Sequence, residues 1–376
     1  MITSIVPATT SPILHLDFRI ITTITQFDAL KDGWRALSGS VQENTGFFAS
    51  WDYTAAYIKF HRPNGWVVIV AYADSSKIPV AVFPLISFTI AHDGKSFKAY
   101  KALGIPYISY IEFPIQDGIR EVLLPKLLSD VLQTYLRCDV LFFGPFSESS
   151  LTYLALVESL PKDQIKTLRH RTLSQIDCRG QSFEDFFAQR KKSTLPDARR
   201  CERRLRELGQ LEFCCPDHHS DLNELVAVLC RQSAENFGSK HLLGTQSDWA
   251  GFFSKLIAEL GPVGLIEMST LRLDGHVIAS HLGFLFKGRR FYYLPAYDQE
   301  FSRFSPSKVL MAKLIERSFH ENGVFCFGSG TYPYKLDWCQ TVGEVKIPIV
   351  FFDPAARRAL DDYIDLRSYG RVAVQQ

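Results

Sequence analysis

Apolar positions in the C-terminal half alternate with polar ones at a spacing of two, and short turns break the alternation. Gly264–Leu273 reads as a strand. Asp274-Gly275 reads as a tight turn, because both residues tolerate positive φ, and His276–Phe286 returns as the second strand. Lys287-Gly288 turns the chain again, and Arg290–Tyr297 makes a third strand. From Ser305 to Asn322 the spacing becomes helical. Val309, Leu310, Ala312, Leu314 and Phe319 crowd one side, Pro306 sits in the first turn, and Gly323 lies just past the end. Val324–Phe327 is again a strand.

The N-terminal half follows the same plan with less contrast. A loose arm over residues 1–20 leads into a strand, and helical patterns follow at Phe27–Leu37 and Ser50–Phe60. Trp66–Tyr72 and Ile78–Phe88 flank a turn at Asp74–Lys77 and predict a hairpin. Ala99–Leu103 and Tyr107–Phe113 look strand-like, Arg120–Leu136 helical, Val140–Phe143 a buried strand, and Ser149–Leu160 a helix closed by Pro161. Each half thus reads hairpin, strand, helix, strand. The expected fold is α+β, with two similar domains, each a mixed, mostly antiparallel sheet flanked by helices. Their bounds are 1–165 and 211–376, with a basic linker helix over 166–210.

Composition narrows the classes. Of 376 residues, 46% are apolar and 22% charged, enough for large cores, and a net charge of +2 gives no general field for nucleic acid. The eight cysteines form no CxxC pair, so reduced, buried thiols are expected. Cys214-Cys215-Pro216-Asp217-His218-His219 sets metal-ligand residue types in a row, but no second cluster completes a tetrahedral site, and no metal is expected. The first residues lack a signal-peptide pattern, and no apolar run approaches the ~18 residues of a membrane span. A soluble, cytoplasmic protein is the expectation. The chain has no GxSxG elbow, Walker loop or GxGxxG fingerprint, which disfavours a hydrolase, an NTPase or a dehydrogenase.

Three constellations carry candidate chemistry. The Tyr-rich strand ending in Asp298 runs through a loop containing Arg303 into Ser305-Pro306-Ser307, where a helix starts. Free N–H groups, hydroxyls and a guanidinium there suit an anion, although Ser305 as a simple N-cap explains the same residues. Gly328-Ser329-Gly330 leads into Tyr334 and Lys335, a proton donor and a cation, or equally an aromatic-packed turn. His281 shares a strand face with Ala279 and Gly283, small neighbours that leave room above its ring. Arg190–Gly209 adds a helix with Cys201, Leu205 and Leu208 on one stripe and arginines Arg199–Arg206 outside. That face reads as solvated or as meeting an anionic partner.

These segments resemble a bacterial GNAT acetyltransferase family associated with cellulose biosynthesis and related in build to the Fem-type aminoacyl transferases. The resemblance runs through Ala279-Ser280-His281-Leu282-Gly283-Phe284, Asp298, Ser305-Pro306 and Pro333-Tyr334-Lys335. It extends to the basic helix, to Phe47-Phe48-Ala49-Ser50-Trp51 and to Val82-Phe83-Pro84-Leu85. It implies two tandem GNAT-like domains. It also implies acyl transfer from acetyl-CoA or another acyl-CoA to an amine or hydroxyl of an envelope sugar or polysaccharide precursor. The pyrophosphate would lie on Arg303, Ser305, Pro306 and Ser307, and His281, Asp298, Tyr334 and Lys335 would serve catalysis. Departures from the family pattern are Ser307 in place of Gly, Cys326 in place of an acid, and Gly330-Thr331-Tyr332 in place of Gly-Asp-Glu. The alternatives are a Fem-like aminoacyl-tRNA-dependent transferase, whose tRNA would meet the basic helix, and a silent binding module.

Overall fold

The computed structural model describes residues 14–41, 46–74, 76–105, 108–189, 194–216, 222–237, 249–330, 332–339 and 341–364. The strands are β1 Leu16–Ile21, β2 Trp66–Ala73, β3 Pro79–His92, β4 Lys95–Ala102, β5 Val140–Phe142, β6 Phe146–Ser147 and β7 Ile165–Asp177. They continue with β8 Leu211–Cys214, β9 Ile266–Leu273, β10 His276–Phe286, β11 Arg289–Tyr297, β12 Val324–Ser329 and β13 Thr341–Phe351. The hairpins expected from alternation are present. Asp274 and Lys287 take φ of 49° and 48°, each followed by a glycine at positive φ, as such turns require.

One sheet carries both halves, in the order β1-β2-β3-β4-β5-β13-β7-β12-β11-β10-β9-β8, with β6 attached to β13. Neighbours are antiparallel except two pairs, β4 with β5 and β11 with β12. The order is that of two similar half-sheets placed back to back. Each ends in a parallel pair followed by one antiparallel strand, and those last strands are exchanged. β7 follows the N-terminal half in sequence yet lies against β12. β13 follows the C-terminal half yet lies against β5. β7 and β13 then pair with each other over Thr341–Val350 and join the halves.

This revises the expected linker. Residues 165–177 form a strand in the middle of the sheet, and helices Phe183–Ala188 and Thr194–Arg206 follow it. The strand was hidden by its polar outer positions, with exposed Thr167, Arg169 and Arg171 alternating with less exposed Leu168 and His170. Residues 108–113 are not a strand. They form a buried irregular segment in which the Ile111 N–H donates to the Pro145 carbonyl and, further on, Val82 donates to Pro114. Their apolar run reflects burial rather than pairing.

Helices Thr194–Arg206 and Pro306–His320 cover one face of the C-terminal half, over Ile278, Tyr292, Phe325 and Phe327. Helices Asn223–Phe237 and Trp249–Leu260 cover the other. The Phe47-Phe48 segment packs across the halves, with the Phe47 ring stacked on Phe284 at 4.5 Å. Among the described residues no helix is long and apolar enough to cross a membrane, and no group of three His, Cys, Asp or Glu side chains gathers as a metal site. Residues 217–219 of the Cys214–His219 run lie outside the described residues.

Candidate active site

β11 and β12 pair over three residues only, Arg289 with Val324, Arg290 with Phe325 and Phe291 with Cys326. Beyond them β12 stays with β7, while β11 stays with β10 through Tyr297, so the two strands part and leave a wedge. A bulge between Leu282 and Gly283 in the β10 pairing helps turn β11 away. The parallel pair of the N-terminal half parts as well, but there residues 110–116 fill the gap. Ile111 bonds to Pro145, and Gln116 bonds to Val80 of β3. In the C-terminal wedge, among the described residues, no backbone segment pairs with the β11 edge beyond Phe291.

That edge has a distinctive polarity. The Asp298 N–H donates to Ile278 of β10, so alternation turns Tyr297 and Pro295 toward the wedge. Both backbone groups of Tyr297 are taken by the Asn236 side chain, at 2.8 and 2.9 Å. Pro295 has no N–H, so this stretch of the edge offers an acceptor without a donor.

The vertex is closed by a polar knot. The Arg289 guanidinium lies 3.4 Å from the Cys326 sulfur and 3.1 Å from the Gln175 side-chain carbonyl, and the Tyr110 hydroxyl approaches Cys326 at 3.8 Å. Where the resembled family has an acid, this chain therefore buries a thiol against a cation. A Cβ on Gly328 would lie 3.1 Å from Ser109 Oγ, so the N-terminal half reaches to the wedge itself.

The expected site residues divide into two groups. Tyr334 and Lys335 stand on the short helix Pro333–Trp338 beside β12. Tyr334 is 41% exposed, but its phenol end is desolvated, which pushes the hydroxyl up to about 12 with help from Tyr332. The Tyr332 and Tyr334 rings lie 6.0 Å apart. Lys335 is buried. Its ammonium donates to the carbonyls of Phe327 and Ser329 at 2.9 and 3.2 Å and holds the end of β12, while burial lowers it to about 8. Lys335 is thereby engaged with the backbone rather than presented to a ligand. Thr331 lies outside the described residues.

Asp298, Arg303, Ser305, Pro306 and Ser307 gather at the other side, where β11 passes through the turn Gln299–Phe304 into the helix Pro306–His320. Asp298 caps that turn. One oxygen accepts from Glu300 N–H at 2.9 Å, and the other lies 2.8 Å from His276 Nε2. Ser305 takes φ 51° and makes no side-chain cap bond, while its carbonyl accepts from Lys308 and Val309. Pro306 has no N–H to leave unpaired. The buried Ser307 hydroxyl has no hydrogen-bond partner among the described residues. Arg303 and Arg204 both lie over the Phe304 ring, at 4.7 and 4.9 Å from its centre. Sequence reasoning saw the basic helix that carries Arg204 but assigned it no place in this loop, because nothing local says which way its outer face points.

His281 belongs to neither group. It is fully buried under the helix Pro306–His320, its ring nitrogens have no hydrogen-bond partners among the described residues, and burial lowers it to about 3. The room expected beside Gly283 is taken by the imidazole itself, since a Cβ there would fall 2.5 Å from His281 Cε1. Two clefts, of about 270 and 350 Å³, lie near Lys287 and Leu265, at the paired end of β11 away from the wedge mouth.

Residues 192–336 match the family model of the acetyltransferase (GNAT) domain. The fold is shared with the crystal structure of FemX, with a TM-score of 0.60 at 12% identity over 90% of this chain and 99% of that one. It is shared also with the C-terminal domain of a putative lysylphosphatidylglycerol synthetase from Agrobacterium fabrum, at 0.55 and 10% identity over 90% and 96%. A conserved protein of unknown function from Bacteroides thetaiotaomicron aligns at 0.53 and 12% identity over 90% and 100%. No curated protein matches the chain in sequence.

Proposed function

We propose that this chain, whose residues 192–336 match the GNAT acetyltransferase domain and whose fold is that of FemX, is an acyl-CoA-dependent N- or O-acyltransferase. Its acceptor would be an amine or hydroxyl of an envelope sugar or related metabolite. The observation that carries the reading is the parting of β11 from β12 after Phe291 and Cys326, with β11 then leading into the Ser305–Ser307 helix start. A thioester in that wedge has its pantetheine arm alongside β11, where the Pro295 carbonyl accepts an amide N–H. Its pyrophosphate meets the Ser307 N–H and hydroxyl at the positive end of the helix.

The acceptor attacks the thioester carbonyl, a C–N or C–O bond forms, and the C–S bond breaks. The acceptor's proton leaves to water, and Tyr334 supplies a proton to the departing thiolate. A phenol held up to about 12 is protonated at neutral pH, so its proton is in place when the thiolate leaves, and water restores it afterwards. No metal takes part in this scheme. Asp298, with both oxygens engaged, shapes the loop, and His281 packs beneath it.

Thermal-shift titration with acetyl-CoA, longer acyl-CoAs and total tRNA tests the reading. A donor that binds only the native state raises the melting temperature, by about 2.7 kcal/mol of apparent stability at a hundredfold excess over Kd. Stabilisation by acyl-CoA is expected. Stabilisation by tRNA alone overturns the reading in favour of aminoacyl transfer, and no response to either favours a binding module.

A further inference from the structure

The basic helix Thr194–Arg206 is largely self-neutralised. Arg199 pairs with Glu184 at 3.3 Å, Arg200 with Asp197, and Arg206 with Glu202 at 2.9 Å, while Lys308 also reaches Asp197 and Lys313 reaches Glu202. Arg204 is an exception. Among the described residues it has no carboxylate partner, and neither has Arg303 on the facing loop. Glu300 lies three residues before Arg303 and forms no ion pair with either arginine. Both guanidinium carbons nevertheless lie within 4.9 Å of the centre of one ring, Phe304. Two like charges gathered on one phenyl ring repel, and the ring's attraction for each, about 0.5–1 kcal/mol at an exposed site, does not supply a counter-charge. Both arginines are exposed, so an anion from solvent has access to each.

We infer that Arg204 and Arg303, held on Phe304, form a clip for a phosphate monoester, and that this phosphate is the 3′-phosphate of the coenzyme A ribose. The inference rests on the donor reading above. There the pyrophosphate is met by the helix start at Ser307, which leaves CoA one further anionic group. A monoester carries close to two charges at neutral pH and several acceptor oxygens, which suits two planar guanidinium donors better than one lysine-like point charge. The clip would then make the donor's affinity depend on a helix contributed from outside the strand-loop-helix junction. The buried ring of Phe304 sets where the two forks lie.

The test is calorimetric titration of the full chain with CoA, 3′-dephospho-CoA and total tRNA, for wild type, Arg204→Gln, Arg303→Gln and the control Arg199→Gln. Wild type should bind CoA at least tenfold more tightly than dephospho-CoA. Each clip variant should lose most of that ratio by weakening CoA alone, with dephospho-CoA affinity and melting temperature unchanged. Arg199→Gln should behave as wild type. Equal affinity of wild type for the two coenzymes overturns the clip while leaving the donor reading intact. A uniform loss for both coenzymes in the variants, or a loss of tRNA binding with CoA untouched, also overturns it. Failure of wild type to bind either coenzyme overturns the donor reading and the clip together.

Discussion

The imidazole of His281 lies face to face with the phenol ring of Tyr292, centroids 4.6 Å apart and planes 12° from parallel. Both rings are buried on the sheet face beneath the helix Pro306–His320, and among the described residues neither imidazole nitrogen has a partner. A ring so placed is neutral, and its contribution is that of a flat apolar slab.

His281→Phe should therefore preserve the stack and leave activity near wild type, whereas His281→Ala should open a cavity at about 2–4 kcal/mol. The acid limb of stability separates the two forms of the side chain. The folded pKa is lowered to about 3 from 6.5, so the unfolded chain binds the extra proton between those values. Stability is full above about pH 6.5 and falls as pH drops toward 3, by up to 1.4 kcal/mol per unit. His61 and His170, each lowered to about 4, act in the same direction. Denaturant unfolding from pH 7 to pH 4 should show a shallower decline in His281→Phe. An unchanged slope would mean that the imidazole is charged or bonded in the folded protein.

Tyr334→Phe removes a hydroxyl from a residue that is 41% exposed. Its ring contact with Tyr332 survives, so the melting temperature should move by no more than a degree or two. As the thiolate's proton source, Tyr334 predicts a fall in kcat of about 10²-fold or more, with KM for acyl-CoA little changed. Steady-state kinetics at neutral pH decide it, and wild-type turnover removes Tyr334 from the chemistry.

Lys335→Met keeps the stem and deletes the ammonium that joins the Phe327 and Ser329 carbonyls. One buried and one part-buried acceptor lose their donor, so a loss of about 2–4 kcal/mol is expected, together with loosening of the β12 end. Chemical denaturation measures it. A stable variant with a raised KM for one substrate would instead assign Lys335 to ligand binding.

Ser307→Ala deletes a buried hydroxyl without a partner. The free protein should be unchanged or slightly more stable, while CoA affinity falls by about tenfold as one hydrogen bond to the pyrophosphate is lost. Ser305→Gly suits the residue's φ of 51° and should leave both quantities near wild type, whereas Ser305→Val should destabilise through that same backbone angle. Calorimetry and melting curves of the three variants read both effects, and unchanged CoA affinity in Ser307→Ala removes the hydroxyl from the donor site.

The repeating strands and the long helix of the C-terminal half were legible because each has one wet face and one dry face, so periodicity alone marks them. Pro306 and Gly323 bracket that helix in sequence as they do in space, with its ends at Pro306 and His320. Local turn chemistry placed Asp274-Gly275 and Lys287-Gly288 correctly. Less was legible where contacts from distant segments decide the pattern. β7 looked like linker because its outer face is charged, and residues 108–113 looked like strand because they are buried. Leu208 was read as part of the buried stripe of the basic helix, but that helix ends at Arg206, and Leu208 is 48% exposed.

By itself the sequence determined the α+β character, the hairpins, the helix start at Ser305-Pro306-Ser307 and the placement of Tyr334 and Lys335 after a glycine-bearing turn. These depend on φ preferences and on alternation within a few residues. Only the tertiary structure decided that β7 and β13 change places between the half-sheets, that residues 110–116 fill one wedge and leave the other, and that His281 lies over Gly283. It alone set Arg204 and Arg303 on one ring. The physical reason is the same in each case. Which strand edge stays unpaired, and which charge lacks a counter-charge, depends on segments remote in sequence meeting in space, as Val80 meets Gln116 and Ile165 meets Val350, and no local pattern carries that information.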